Sequence, residues 1–157
     1  RALLAAVSEL EESECFRPVR LSSLYETDPV GLVPQGRFLN AVLEGRTALS
    51  PFELLDRAEE LERRLGRVEK GTGGPRRLDV DLLLHGNAQL RSPRLTVPHP
   101  EVGNREFVLA PLAEIAPALH LPDGRSVRGL LERVAGTQGV HRYECPEWPG
   151  LHLGRKG

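Results

Sequence analysis

The sequence predicts one domain of alternating helices and strands, on three observations. Its 157 residues suit a single hydrophobic core. Apolar residues recur every three to four positions in some segments and every second position in others, the two periods of helix and strand. Glycine and proline punctuate the chain at intervals suited to short elements, and no repeat or low-complexity linker interrupts it. With 39% hydrophobic and 27% charged residues the composition excludes a disordered tail, a collagen-like rod and a disulfide-dense scaffold. No apolar run reaches the roughly 20 residues of a membrane span. The net charge of −1 speaks against a broadly basic nucleic-acid surface. Cys15 and Cys145 could form one bridge at most and fit no metal-ligand spacing, so a reducing, cytoplasmic setting is expected.

Taken in order, Leu3, Val7 and Leu10 recur at helical spacing and predict a helix over 2–10. Val19, Leu21, Ser23 and Tyr25 alternate and predict a strand. Asp28-Pro29-Val30-Gly31 and Val33-Pro34-Gln35-Gly36 read as a loop, and Phe38 to Leu43 as the next strand. Ser50-Pro51-Phe52-Glu53 combines an N-cap serine, proline at the first helical position and glutamate at the third, a capping box. The helix it opens carries Leu54, Ala58, Leu61 and Leu65 on its apolar stripe, and Gly66 is expected to end it. Leu78 to Leu84 predicts a third strand, Leu90 to Val97 a hairpin, and Val108 to Ile115 a short helix ended by Pro117. Ser126 caps a last helix through Leu130, Leu131 and Val134, closed by Gly136. His141 to Glu144 reads as a terminal strand, with irregular chain from Pro146 onward.

Chemistry concentrates in the middle. Between Arg63 and Arg77, basic Arg63, Arg64, Arg67, Lys70, Arg76 and Arg77 face a single acidic residue, Glu69, so an anion is expected there. Gly71, Gly73 and Gly74 let the backbone approach a phosphate closely and suit a loop that closes over a ligand. Taken alone, the stretch reads equally as a solvated charge run ending a helix. It runs straight into Leu78-Asp79-Val80-Asp81-Leu82-Leu83-Leu84, where alternation sends Asp79 and Asp81 to one face. Positions two apart on a strand are about 6.6 Å apart, close enough for carboxylates to converge on divalent ions spaced about 3.5–4 Å. Solvated edge strands also produce Asp-x-Asp. Its position at the root of an arginine- and glycine-rich loop favours phosphoryl transfer, which needs acids for metal and bases for phosphate. Phe38 and Asn40 share a face and could stack on and hydrogen-bond to a flat nitrogen heterocycle, although ordinary sheet structure also explains them. His99, Arg105 and Phe107 lie in a turn-rich segment, and Glu62 by itself reads as a solvated helix residue.

Together these segments resemble the 6-hydroxymethyl-7,8-dihydropterin pyrophosphokinases of folate biosynthesis. Gly74-Pro75-Arg76-Arg77-Leu78-Asp79-Val80-Asp81-Leu82-Leu83 resembles the family signature throughout. Ser22 to Gly31, Phe38-Leu39-Asn40, Glu62 with Leu65-Gly66-Arg67, Pro98-His99-Pro100 and Arg105 to Leu112 follow in the family's order, so the likeness spans roughly residues 2–131. The resemblance implies an α+β fold with a ferredoxin-like core, its mostly antiparallel sheet covered by helices, and the family's first strand absent from this chain. It implies a pyrophosphokinase domain over 1–136, N-terminally incomplete, followed by a C-terminal strand or irregular tail over 137–157 with no function assigned. With no methionine in the chain, residues upstream of Arg1 are expected, and a strand ending in Gly-Ser-Asn is what the family places there.

The implied substrates are ATP and 6-hydroxymethyl-7,8-dihydropterin, with two magnesium ions as cofactor and a monomer as the assembly. Asp79 and Asp81 would hold both ions. Arg67 and Arg76 would engage the triphosphate and share the catalytic role with the two aspartates. Glu62, Arg94, Thr96, His99 and Arg105 would complete the ATP site, and Thr27, Asp28, Val30, Phe38, Asn40 and Phe107 the pterin pocket. Some family members carry a tryptophan in the loop before Gly-Pro-Arg, whereas Thr72-Gly73 stand here, so Arg76 or another loop residue is expected to seal the site. Two rival readings remain: a catalytically silent ferredoxin-like module that binds a nucleotide or a partner, and a metal-dependent phosphodiesterase, which would have no reason to carry the Phe38 and Asn40 face.

Overall fold

The fold is α+β. Among the described residues of this computed structural model, 2–28, 38–68 and 78–149 with only the backbone of 67 and 68, four helices are interspersed with seven short strands. The chain divides into two compact units, residues 1–18 with 45–99 and residues 19–44 with 100–157. The division passes through β1 (Arg17–Leu21) and β4 (Leu43–Arg46), which pair with each other.

In the first unit, α1 (Ala2–Glu12) packs on α2 (Pro51–Val68). The α2 N-terminus is the expected capping box: Glu53 N–H donates to Ser50 Oγ at 3.2 Å, and Ser50 N–H to Glu53 Oε1 at 2.8 Å. Ala6, Leu61 and Leu78 form a buried cluster, with Ala2, Leu3, Leu10, Leu65 and Val80 against it. Arg64 of α2 meets Glu9 of α1 at 2.7 Å. Gly66 does not end α2. The helix runs on to Val68, and Gly66 is not among the positive-φ glycines that such an ending requires.

The strand expected over Leu78 to Leu84 is not formed. Burial alternates as predicted, with Leu78 buried, Asp79 exposed, Val80 half-buried and Asp81 exposed. A strand also needs a partner ladder, and the described backbone bond into this stretch is His99 N–H to Leu83 O at 2.9 Å. The hairpin over 90–97 is reduced to β5 (Leu90–Arg91) and β6 (Thr96–Val97), antiparallel, with Ser92 bonding Leu95 across the turn.

In the second unit β2 (Tyr25–Thr27) is the central strand of three, antiparallel to β3 (Phe38–Asn40) and to β7 (Val140–Arg142). Two expected strands are each split, and one interaction accounts for both breaks. Ser22 N–H donates to Val42 O and Val42 N–H to Ser22 Oγ, both at 2.9 Å, so a side chain substitutes for ladder backbone between β1 and β2 and between β3 and β4. Helix α3 (Glu106–Ile115) begins two residues earlier than its apolar spacing indicates and packs on β2 and on α4 (Val127–Val134). Ser126 Oγ caps α4, accepting from Gly129 N–H at 2.9 Å, and Gly136 beyond it has the left-handed φ of +78°. No described helix is long and apolar enough to cross a membrane.

Candidate active site

The carboxylate pair is anchored from behind. Leu78 and Val80 insert into the α1 and α2 apolar cluster, which leaves Asp79 and Asp81 exposed on either side of the Val80 peptide. Glu62, on the half-buried side of α2, accepts the Val80 N–H on Oε2 at 2.7 Å. It therefore fixes the amide lying between the two aspartates. Burial raises the Glu62 carboxyl above the ordinary range; the Val80 bond opposes this, while the charges of Asp79, Asp81 and Glu59 raise it further. Glu62 thus senses the charges of both aspartates, an arrangement that a cation relieves.

Two exposed carboxylates suit a hard ion whose other ligands are phosphate and water oxygens. Among the described residues no three histidine, cysteine or acidic side chains form a ligand cluster. Arg94 lies between β5 and β6 with its guanidinium on Asp56 (2.5 Å) and Glu59 (2.9 Å) of α2. Thr96 is half-buried on β6, and His99 follows that strand. The backbone of Arg67 lies in the last turn of α2, while its side chain and the whole of Arg76, with the glycine-rich loop, lie outside the described residues.

The residues assigned to the pterin fall in the second unit. Cross-strand pairs share a face, so the register Thr27 with Phe38 and Tyr25 with Asn40 puts these four side chains on one side of the sheet. Phe38 is 57% exposed, an unusual condition for a large aromatic ring and a suitable one for stacking on a flat ligand. Thr27 Oγ1 is buried with no hydrogen-bond partner among the described residues. Such an orphan costs about 1–3 kcal/mol unless something satisfies it. Arg105 lies over the Phe107 ring, 5.5 Å from its centroid, at the start of α3. Asp28 follows β2 and meets His141, while Val30 lies outside the described residues.

Several residues that hold this face in place escaped the sequence reading. Glu114 of α3, with 9% of its side chain exposed, accepts Ser23 N–H (2.9 Å), Ser23 Oγ–H (2.6 Å) and Tyr25 Oη–H (2.9 Å), and lies 3.5 Å from Arg142. Burial, then the bond and charge of Glu114, push the Tyr25 phenol up to about 12 against the opposing effect of Arg142. Buried Glu106 accepts the N–H groups of Gly136 (2.8 Å) and Gln138 (3.0 Å). Trp148 donates its indole N–H to Ser22 O at 2.8 Å. The available signal was a lone acid in the apolar stretch Phe107 to Ile115, since a charge on such a helix needs a partner.

Residues 1–117 match the family model described as 7,8-dihydro-6-hydroxymethylpterin-pyrophosphokinase. The 2-amino-4-hydroxy-6-hydroxymethyldihydropteridine pyrophosphokinase of Pseudomonas aeruginosa is 47% identical over 138 residues, covering 88% of this chain and 85% of that relative. The proteins of the same name from Bacillus subtilis and Synechocystis are similar as well. The first is 45% identical over 113 residues (72% of this chain, 68% of the relative) and the second 40% over 153 residues (97% and 75%).

Proposed function

Because the chain belongs to the 7,8-dihydro-6-hydroxymethylpterin-pyrophosphokinase family, we propose that its reaction moves the β,γ-diphosphate of ATP onto the hydroxymethyl oxygen of 6-hydroxymethyl-7,8-dihydropterin, with two magnesium ions. It is a pyrophosphokinase of folate biosynthesis. The pterin oxygen bonds to the β-phosphorus, the bond from that phosphorus to the oxygen bridging it to the α-phosphate breaks, AMP leaves, and the hydroxyl proton passes to solvent. The observation that carries this reading is the exposed pair Asp79 and Asp81 about a peptide held by Glu62.

Each residue has a task in this scheme. Asp79 and Asp81 hold the ions, and Glu62 keeps their spacing by holding the Val80 amide. Bound magnesium supplies charge neutralisation on phosphate oxygens and lowers the pKa of a ligated hydroxyl. Arg67 and Arg76 engage the triphosphate and stabilise charge as it develops at the β-phosphorus. Arg94, Thr96, His99 and Arg105 bind the rest of ATP, with Arg94 exchanging its carboxylate partners for phosphate. Phe38 stacks on the pterin, Asn40 hydrogen-bonds its polar edge, and Thr27 Oγ1 gains the partner it lacks among the described residues. Asp28, Val30 and Phe107 complete the pocket.

The test is AMP release with each substrate alone and with both. AMP formed only when ATP and the pterin alcohol are present together supports the transfer. AMP from ATP alone would point to a phosphodiesterase, and none under any condition to a silent binding module.

A further inference from the structure

We infer that the C-terminal strand β7 is a positioning element for the pterin-side strand β2, with His141 as its key side chain acting through Asp28; this rests on the reading of Thr27 and Asp28 as pterin contacts. Strand β7 lies beyond residue 117, where the match to the family model ends, and outside the motifs that carry the resemblance. Its ladder covers the whole of β2, with Tyr25 opposite Arg142, Glu26 opposite His141 and Thr27 opposite Val140. The ladder continues past both ends of β2. Tyr143 N–H donates to Leu24 O at 2.9 Å, and Asp28 N–H to Gly139 O at 3.0 Å.

Side chains reinforce the same two points. His141 Nε2 lies 3.1 Å from Asp28 Oδ1, a hydrogen bond the ring donates whenever Nε2 carries a proton. Arg142 lies 3.5 Å from Glu114 and over the Tyr25 ring at 6.0 Å. Gly139 adopts φ +71°, and a side chain there would come within 3.2 Å of Asp28 Cβ, so glycine at 139 is what lets the two backbones approach. Asp28 is consequently held twice, by its amide and by its carboxylate, from one three-residue strand and the glycine before it. The half-exposed His141 and Asp28 pair contributes modestly to stability but fixes a direction, which is what a substrate contact requires.

Initial rates of the full chain decide the matter, with the pterin varied at saturating ATP and then the reverse. His141→Ala should raise the KM for the pterin about two- to fivefold, the scale of an exposed pair, while kcat and the KM for ATP stay at wild-type values and the melting temperature falls by no more than about 4 °C. His141→Gln, which keeps an N–H donor, should restore most of the loss. Gly139→Ala should move the same constant in the same direction, and His141→Ala should add nothing in an Asp28→Ala background. An unchanged pterin KM in His141→Ala, or an equal rise in both KM values, would overturn the inference. Thr27→Val separates the two levels: if it raises the pterin KM while His141→Ala does not, only the role of β7 fails. If Thr27→Val is also silent, the pterin-side reading fails and this role with it.

Discussion

Replacing Glu114 with alanine should strongly destabilise the second unit. The carboxylate accepts three hydrogen bonds, from the Ser23 amide, the Ser23 hydroxyl and the Tyr25 hydroxyl, with only 9% of the side chain exposed. The three donors differ in what they can do once it is gone. Each hydroxyl rotates about its C–O bond to find another acceptor, so each loses about 1 kcal/mol. The Ser23 amide has one fixed direction and, left unsatisfied, costs about 1–3 kcal/mol. Arg142, 62% exposed and 3.5 Å away, adds little. The expected loss is about 3–5 kcal/mol, the range for breaking a buried charged network. At about 2–4 °C per kcal/mol for a chain of this size, the melting temperature should fall by roughly 10 °C. Glu114→Gln keeps an oxygen for the Ser23 amide and should lose less than half as much. Urea unfolding with a shared slope, checked by calorimetry, measures both variants. A Glu114→Ala protein within about 0.5 kcal/mol of wild type, the scatter of ordinary surface changes, would refute the claim that this carboxylate holds β2.

Three further outcomes are expected. Asp79→Ala and Asp81→Ala should each lower AMP release at saturating magnesium by at least about 100-fold with unfolding midpoints close to wild type, because both side chains are exposed. Asn40→Ala should weaken pterin binding by about tenfold in titration calorimetry and leave ATP binding unchanged. The folded value of Tyr25, near 12, lies above its ordinary value of 10, so its contribution to stability is present in full below pH 10 and lost as pH rises toward 12. Tyr25→Phe should therefore flatten the alkaline loss of stability and remove the late phase of a tyrosinate absorbance titration.

Elements specified by their own residues were legible before the structure. The Ser50 and Glu53 capping box and the Ser126 cap each close over three positions, and the spacing of residues inside them is sufficient evidence. Distant partners were not legible. Ser22 and Val42 are 20 residues apart, and their exchange of hydrogen bonds splits two strands that alternation reads as continuous. Glu114 finds Ser23 across 91 residues, so no local pattern shows what its charge is for. Alternation did anticipate the burial of Leu78, Asp79, Val80 and Asp81, since it depends only on an extended chain against an apolar cluster. It did not anticipate the missing ladder, which depends on where another backbone lies. Likewise Glu62 read as a solvated helix residue because the Val80 amide that occupies it is 18 positions away.

The short strand β2 shows how a fold and a site divide one surface. Tyr25 and Thr27 are two apart and share a face, yet they meet opposite conditions. The Tyr25 hydroxyl is satisfied by Glu114, and through that bond β2 is tied to α3. The Thr27 hydroxyl, one ladder step along, is buried without a partner among the described residues, beside an aromatic ring that is 57% exposed. A fold selected for stability alone would reverse both choices, covering Phe38 and replacing Thr27 with valine. Local choices that cost stability persist where a ligand recovers the cost, and here the two lie directly opposite each other in the register.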